Sequence, residues 1–193
     1  EVLRQPLEER VVHITRVSGT VTYPCSFILV CAMNPCKCGY YGHASKPCTC
    51  TPKARLAYTT KISGPLLDRI DIHVEVPALD YGELSRTEPA EPSAEIRRRV
   101  IAAREYAAER TDGAVTCNGL MTPSDIRRFC RMDESGGKLM QTAYDKFALS
   151  ARAYDRILKV ARTAADFDKS EIIRKEHIGL ALQLRSMNKK YWQ

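Results

Sequence analysis

Apolar positions in the first third of the chain follow the spacing of β-strands. Two runs rich in β-branched residues, 11–15 and 20–23, flank a Ser-Gly pair at 18–19 and predict a β-hairpin. Residues 27–33 are continuously apolar, which is typical of a strand buried on both faces of a parallel sheet. Residues 71–76 alternate between polar and apolar side chains and predict one more strand.

Apolar residues at helical spacing occur before, between and after these predicted strands. Beyond residue 92 every predicted element is a helix. Ser93 and Ser150 stand where N-caps are expected, and Gly113 stands where a helix would stop. Pro6 must distort or end the regular part of the first helix. The predicted helices are 1–10, 52–62, 64–69, 93–112, a short one from 122, 134–149, one from 150 and 175–187.

The order of these elements predicts an α/β fold followed by an all-helical lid domain. We expect the α/β part to cover residues 1–85 and to include a cysteine-rich loop at 35–51. Residues 86–92 belong to an acidic, proline-containing stretch and are interpreted as a linker. The helical lid domain then covers residues 93–193.

Composition narrows the class of protein. With 193 residues, of which 44% are hydrophobic and 27% charged, the chain has the balance of a globular protein of one or two domains. Its apolar runs are shorter than the ~20 residues that span a bilayer, and its charged N-terminus does not resemble a signal peptide. We therefore expect a cytoplasmic protein with no membrane partner. The chain lacks an initiating Met and opens within a helical pattern, so we expect a piece of a longer protein.

Positive charge is concentrated in the first part of the chain. Residues 10–61 contain seven Lys or Arg, and no Asp or Glu occurs between residues 10 and 67. A basic surface of this kind attracts an anionic partner, and nucleic acid is the obvious candidate. A solvated surface that happens to be basic is the alternative explanation for the net charge of +7.

Four of the eight cysteines lie within fifteen residues, at Cys36, Cys38, Cys48 and Cys50. In a chain without a secretion signal, such a cluster favours a metal over disulfides. Tetrahedral Zn²⁺ takes four thiolate ligands, and a loop this polar has no core of its own without a metal. We predict a structural zinc site in which His43 could replace one cysteine. Two disulfides or four free thiols are the alternatives.

Three further segments complete a resemblance to a known family. Residues 27–34, FILVCAMN, followed by Pro35-Cys36, look like the sensor-1 strand of magnesium-chelatase-like AAA+ ATPases of the ComM/YifB type. Residues 63–71, SGPLLDRID, resemble that family's LLDR segment, and residues 149–154, LSARAY, resemble its sensor-2 segment. The predicted hairpin corresponds to an insertion of this branch of AAA+ proteins. The similarity covers essentially the whole chain.

This resemblance implies the C-terminal part of an AAA+ P-loop-type domain followed by its helical lid. Asn34 would lie near the nucleotide phosphates, at the carboxyl edge of the sheet where α/β folds bind ligands. Arg69 would act in trans on the γ-phosphate bound by the neighbouring subunit. Arg152 would bind nucleotide just after the N-cap of its helix, where the helix dipole and the guanidinium both favour an anion.

Each of these three residues also has an ordinary structural interpretation. Asn34 can simply end a strand before a proline, and Arg69 can be the salt-bridge partner of Asp68 or Asp71. Arg152 can belong to a plain solvated stripe formed with the other cations of its helix, which are Arg156, Lys159 and Arg162.

Two motifs of the family's nucleotide site do not occur in this sequence. There is no G-x-x-x-x-G-K-[ST] P-loop (Walker A) and no apolar strand ending in an acidic pair (Walker B) to hold Mg²⁺. In the family both precede the segment matched here, so ATP and Mg²⁺ are expected as cofactors of the parent ATPase only. We expect this chain by itself not to hydrolyse ATP. We also expect part of its sheet to be exposed or paired with another chain.

The function implied by the resemblance is that of an ATP-driven ring, expected to be a hexamer, that acts on DNA as a helicase or branch-migration motor. A metal-chelatase-type motor subunit that remodels a protein partner is the alternative. A zinc-stabilised binding module without a motor role is a third hypothesis. The carboxylate-free basic segment and its cysteine loop favour DNA over the chelatase interpretation.

Overall fold

A computed structural model of the chain describes residues 2–43, 45–77, 81–85 and 89–185. These residues form two compact units, of which the first ends at Ile70 and the second begins at Asp71. Helices occur in both units, whereas the sheet found in the described residues is a two-stranded hairpin in the first unit. The chain therefore combines a small sheet with a larger set of helices.

The first unit begins with a short helix and the predicted hairpin. Helix α1 covers Arg4–Glu9, with Pro6 in the first turn, where its missing N–H costs no helical hydrogen bond. Strands β1, Val11–Arg16, and β2, Gly19–Pro24, pair in antiparallel register across a tight turn. The hairpin prediction is confirmed, and β2 is exposed along its whole length.

The apolar run at residues 27–33 does not form the predicted buried strand. Residues 25–34 have no regular secondary structure, and Ile28 and Val30 are 92% and 87% exposed. A buried parallel strand needs neighbouring strands on both sides to pair its N–H and C=O groups. The sheet in the described part of the chain consists of β1 and β2 alone. The strand prediction is therefore wrong here, and the run is an exposed apolar segment.

Two helices at the end of the first unit have side-chain caps. Helix α2, Pro52–Thr59, begins after Thr51, whose Oγ1 accepts a backbone N–H at 3.2 Å. Helix α3, Gly64–Leu67, begins after Ser63, whose Oγ accepts a backbone N–H at 3.3 Å. Both helices carry a proline in their first two positions, where its restricted φ favours a helix start. The predicted helices are present, although each is shorter than expected.

The second unit opens with another irregular segment where a strand was predicted. Residues 71–77 are not part of a sheet, and most of the apolar side chains among them are exposed. Alternation of polar and apolar residues produces a strand only where a partner strand pairs with its backbone. This prediction is wrong for the same reason as that for residues 27–33. A short helix, α4, follows at Tyr81–Leu84, and residues 86–88 of the expected linker lie outside the described residues.

The remaining elements of the second unit are helical. They are α5 Ser93–Arg110, a 3₁₀ turn Asn118–Leu120, α6 Pro123–Phe129, α7 Glu134–Phe147, α8 Ala151–Phe167 and α9 Lys175–Gln183. Ser150 caps α8 by accepting the N–H of Ala153 at 3.1 Å, as predicted. Ser93 instead is the first residue of α5, with Pro92 in the cap position. Residues 186 and 187, in the last predicted helix, lie outside the described part of the chain.

Helix α8 is central to the core of the second unit. Helical spacing predicts an apolar face of Tyr154, Ile157, Leu158, Ala161 and Ala165 on this helix. The structure confirms it, because the last four are each 3% exposed or less and Tyr154 is half-buried. Helices α5, α6 and α9 pack against α8, and α7 packs against α9. The small alanines allow the neighbouring backbones to approach closely, while the larger side chains fill the remaining space.

A polar cluster is buried beside this apolar core. Arg162 is fully buried, and Asp166, one turn later in α8, is 1% exposed. The carboxylate of Asp166 accepts hydrogen bonds from Nε of Arg162 at 3.1 Å, from Nε of Arg110 at 2.9 Å and from Nδ2 of Asn118 at 2.6 Å. Arg162 also donates to two carbonyl oxygens just beyond the end of α8. Burial lowers the pKa of Arg162. One carboxylate thus joins α5, the 3₁₀ turn and α8.

We expect Asp166→Asn to lower the free energy of unfolding by about 3–5 kcal/mol, because two buried guanidinium groups would lose their shared counter-charge. Urea unfolding followed by helical circular dichroism measures this loss. Glu134→Gln is the matched control, since the side chains of its ion pair with Lys138 are 84% and 74% exposed, respectively. That variant should lose less than about 1 kcal/mol. Equal losses in the two variants would contradict a stabilising role for the buried carboxylate.

Candidate functional site

The four clustered cysteines meet at one point of the first unit. The Sγ atoms of Cys36, Cys38, Cys48 and Cys50 all lie within 4.8 Å of one another. Cys36 is buried and the other three are half-buried. The sulfur of Cys36 is 3.3 Å from that of Cys38 and 3.6 Å from that of Cys48, and the last two are 3.5 Å apart. The fold therefore brings together both Cys-x-Cys pairs from the two ends of the loop.

These distances suit a tetrahedral metal ion better than a pair of disulfides. Zn–S bonds of about 2.3 Å in a tetrahedron place the sulfurs about 3.8 Å apart, close to the separations seen here. A disulfide holds its two sulfurs at about 2.05 Å, and all eight cysteines are free thiols. The alternative of two disulfides does not agree with this geometry. Four sulfur donors at this spacing fit the ligand set that zinc takes in structural sites.

The thiols of this cluster differ in acidity. The backbone N–H of Tyr40 donates to the sulfur of Cys38 and lowers the pKa of that thiol to about 5. Burial raises the pKa of Cys48. For Cys50, a hydrogen bond with the Cys38 backbone lowers the pKa. Hydrogen bonds between the Cys50 thiol and the sulfurs of Cys38 and Cys36, together with burial, outweigh that effect and raise the pKa of Cys50 to about 11. A divalent cation among the sulfurs would favour the thiolate form at every position, which zinc ligation requires.

Backbone geometry shapes the loop around the sulfurs. Gly39 has a φ of +85°, a conformation that a residue with a side chain adopts only under strain, and its N–H donates to the carbonyl oxygen of Cys36 at 3.0 Å. His43 is not part of the sulfur cluster. Its Nδ1 accepts the backbone N–H groups of Ser45 and Lys46, each at 3.2 Å. The structure therefore does not support His43 as a substitute ligand.

Two tyrosines follow Gly39, just after the first cysteine pair, and each ring lies close to a cation. The ammonium nitrogen of Lys46 is 5.2 Å from the ring centroid of Tyr40, and Cζ of Arg55 is 4.6 Å from that of Tyr41. The sequence interpretation noted the cations but missed the tyrosines. Two consecutive aromatic residues in a basic, carboxylate-free segment were the signal that could have identified them.

Asn34 lies exposed in the irregular segment that precedes the cysteine loop. It does not end a strand in this structure, so the position expected from a parallel sheet is not observed. A β-carbon built on Gly39 would stand 4.0 Å from Cγ and Nδ2 of the Asn34 side chain. The carboxamide of Asn34 is therefore next to the turn that carries the first cysteine pair.

Arg69 lies just beyond α3, and its side chain is only 11% exposed. Its Nη2 is 2.6 Å from Oε2 of Glu8, which precedes it by 61 residues. The sequence interpretation named Asp68 or Asp71 as the ordinary ion-pair partner of this arginine. The structure instead gives Glu8 as a partner of Arg69, and it pairs Asp71 with Arg156. Arg69 is thus held in place by contacts within the first unit.

Arg152 is exposed in the first turn of α8, two residues after the capping Ser150. The N–H groups of that turn and the guanidinium both favour a bound anion. The alternative of a plain solvated stripe does not hold for the rest of this helix. Arg156 is paired with Asp71, and Arg162 is fully buried. Asn34 and Arg69 belong to the first unit, and Arg152 belongs to the second.

Comparison with protein families gives two matches in order along the chain. Residues 1–84 match the model described as magnesium chelatase, subunit ChlI. Residues 90–185 match the model described as magnesium chelatase, subunit ChlI C-terminal. None of the described helices is long and apolar enough to cross a membrane.

Individual relatives are similar over nearly the whole chain. Protein YifB of Escherichia coli is 38% identical over 191 residues, which cover 98% of this chain and 37% of YifB. Competence protein ComM of Haemophilus influenzae is 37% identical over 188 residues, which cover 97% of this chain and 36% of ComM. A Mycobacterium tuberculosis protein is 36% identical over 167 residues, 86% of this chain and 33% of its own length. The chain thus spans little more than a third of the length of these relatives. Because both chelatase models match in sequence order and these identities extend along the chain, it belongs to the magnesium-chelatase-like family that includes ComM and YifB.

Proposed function

We propose that this chain is the C-terminal segment of a subunit of an ATP-driven AAA+ motor that acts on DNA. The observation that carries the proposal is the cysteine cluster, which stands in a segment free of Asp and Glu between residues 10 and 67. The side chains of Arg16, Lys37, Lys46, Lys53 and Lys61 in that segment are exposed. A concentration of uncompensated cations on an exposed loop and hairpin suits contacts with phosphates.

The parent motor would work as a ring of subunits, which we propose to be a hexamer in the cytoplasm. Residues 1–85 would belong to the AAA+ core, 86–92 to a linker and 93–193 to the helical lid. The relative ComM is named a competence protein, and this name supports DNA as the substrate of the ring. Helicase or branch migration is the activity that the resemblance of the sequence motifs implies. ATP and Mg²⁺ would be bound by the parent protein, because this sequence contains no P-loop.

Zinc is the metal that we propose for the sulfur cluster. Cys36, Cys38, Cys48 and Cys50 would hold it, and it would supply a cross-link between the two ends of the loop. The residues between the two cysteine pairs are mostly exposed, so they have little apolar core that could hold the loop together. The cross-link would therefore fix the orientation in which the loop presents its cations.

Three residues are proposed for the nucleotide site of the parent ring. Asn34 and Arg152 would contact the nucleotide, and Arg69 would reach the γ-phosphate bound by the adjacent subunit. Glu8 already orders the Arg69 side chain, which is 11% exposed, and a bound γ-phosphate would compete with this carboxylate for the guanidinium. Such a residue can neutralise charge on a transferring phosphoryl group without first being ordered.

A metal-chelatase-type motor that remodels a protein partner is the second candidate. The descriptions of both matching family models favour it, since each is a magnesium chelatase subunit. This candidate requires the same nucleotide chemistry but no affinity for DNA. The two proposals therefore differ in the partner of the basic segment, and DNA binding distinguishes them.

We expect about one zinc per chain in protein purified without chelator, measured by elemental analysis. Cys38→Ser and Cys48→Ser should each reduce the zinc content to well below half, because a tetrahedral site loses one of its ligands. Cys31→Ser and Cys117→Ser are controls outside the cluster and should retain the metal. Equal zinc content in all four variants would exclude the sulfur cluster as the site.

Lys37→Glu combined with Lys46→Glu should weaken DNA binding by the full-length protein. The slope of log affinity against log salt concentration should become shallower by about 0.7–0.9 for each phosphate that the variant no longer neutralises. Fluorescence anisotropy with labelled DNA at several salt concentrations measures both effects. Lys138→Glu with Lys146→Glu changes the net charge equally on the exposed surface of α7 and should leave the slope unchanged. An unchanged slope in the first variant would favour the protein-remodelling candidate.

Arg69→Ala should reduce the ATPase rate of the full-length protein by about a thousandfold, the effect expected for an arginine that stabilises the transferring phosphoryl group. Mixing this variant with subunits whose P-loop is inactivated should restore activity, because those subunits supply Arg69 to a neighbouring intact P-loop. Glu8→Gln tests the structural role, since it breaks the same ion pair and leaves the guanidinium in place. The trans role would be contradicted if Glu8→Gln lost as much activity as Arg69→Ala and if mixing did not restore the activity of Arg69→Ala.

A further inference from the structure

Tyr40 and Tyr41 are exposed aromatic rings on the cysteine loop. Their exposed fractions are 38% and 37%. The cations beside them are the ammonium of Lys46, 5.2 Å from the Tyr40 centroid, and the guanidinium of Arg55, 4.6 Å from the Tyr41 centroid. The tyrosine platform, defined here as Tyr40, Tyr41, Lys46 and Arg55, therefore combines two flat surfaces with two positive charges.

The platform is attached to the sulfur cluster at both of its ends. Tyr40 follows Cys38 across the turn at Gly39, whose N–H donates to the carbonyl oxygen of Cys36 at 3.0 Å. On the other side, Nη1 of Arg55 donates to the carbonyl oxygen of Cys50 at 2.8 Å. The ring of His43 packs edge-on against Tyr40, with centroids 5.7 Å apart. The rings and cations are therefore positioned by the cysteine loop.

We infer that the tyrosine platform binds single-stranded DNA by stacking bases on Tyr40 and Tyr41 while Lys46 and Arg55 contact the adjoining phosphates. This inference rests on the proposed DNA function and adds the form of DNA that the loop accepts. A nucleotide unit joins a flat base to an anionic phosphate, which matches a ring with a cation beside it. In a duplex the base faces are already stacked on one another, so only an unpaired strand offers them to the tyrosines.

Stacking is strong enough to compete with the contacts already present. An exposed cation–π contact strengthens an interaction only about two- to fivefold, whereas base stacking on an aromatic ring strengthens binding about fivefold to more than a hundredfold. A base can therefore take the place of a cation at a ring face, and the displaced cation remains near the phosphate. Lys46 is the more adaptable partner, since Arg55 is tied to the backbone of Cys50.

An acidic peptide is the other anion that this surface would attract. Its carboxylates could pair with Lys46 and Arg55, but they would gain nothing from the flat faces of the two tyrosines. The exposed rings therefore favour a nucleic-acid strand over a peptide. If the rings only covered the sulfur cluster, the affinity for DNA would be the same whether or not the strand carried bases that can stack.

The test compares two DNA strands of equal charge, an oligothymidylate and the same strand with abasic sites. The zinc-loaded full-length protein should bind the oligothymidylate at least tenfold more tightly at fixed salt, measured by anisotropy. Tyr40→Leu with Tyr41→Leu should weaken oligothymidylate binding by at least tenfold and should bind both strands alike. The slope of log affinity against log salt concentration should be unchanged, because no phosphate contact is removed.

Controls separate stacking from folding. Tyr40→Phe with Tyr41→Phe keeps the rings and should retain the preference for the oligothymidylate. Tyr81→Leu removes an exposed tyrosine outside the loop and should leave the affinity for both strands unchanged. Zinc content shows whether the leucine variant retains its loop. If that variant loses zinc, the comparison of the two strands on the unmodified protein still decides the question.

Three outcomes would overturn the inference, and they have different consequences. Equal affinity of the unmodified protein for both strands would exclude stacking while leaving the proposed DNA function intact. Binding of polyglutamate as tight as that of the oligothymidylate would identify the platform as an acidic-peptide site. Failure to bind any DNA would remove the proposed DNA function and this inference together.

Discussion

The geometry of the first unit depends on four sulfur atoms that lie within 4.8 Å of one another. Thiolates this close repel, so the cluster is compatible with full ionisation only around a divalent cation. The backbone reaches this arrangement by turning at Gly39 and Gly42, both of which have positive φ. Arg55 donates a hydrogen bond to the carbonyl oxygen of Cys50, and Tyr40 lies two residues after Cys38, so the surface that we propose to meet DNA depends on the sulfur geometry.

A buried carboxylate plays the corresponding part in the second unit. Asp166 accepts hydrogen bonds from Arg110, Asn118 and Arg162 and so ties α8 to its neighbours. The first turn of the same helix presents Arg152 to solvent. A residue proposed to contact nucleotide thus stands on a helix whose far half is held by charge-assisted hydrogen bonds and an apolar core. Loss of that carboxylate would disturb the helix from its opposite end.

Patterns that depend on neighbouring residues were predictable from the sequence. The hairpin followed from β-branched runs around a Ser-Gly pair, and the cap of α8 followed from Ser150 before an apolar stripe. The stripe on α8 was also correct, since helical spacing alone decides which residues share one face. The cysteine spacing led to the sulfur cluster because both Cys-x-Cys pairs flank one short loop. In these cases the determining contacts lie within a few turns or one loop of the chain.

The sequence by itself therefore determined the helices, the hairpin, the clustering of four cysteines and the membership of a chelatase-like family. Only the tertiary structure decided that residues 27–33 and 71–77 are not strands, because strand formation needs a partner edge that a linear pattern does not reveal. It also decided that Arg162 is buried rather than solvated, since long-range packing brings Arg110 to the carboxylate beside it. The pairing of Arg69 with Glu8 was likewise beyond sequence reasoning, because the two residues are 61 positions apart and meet only when the first unit folds.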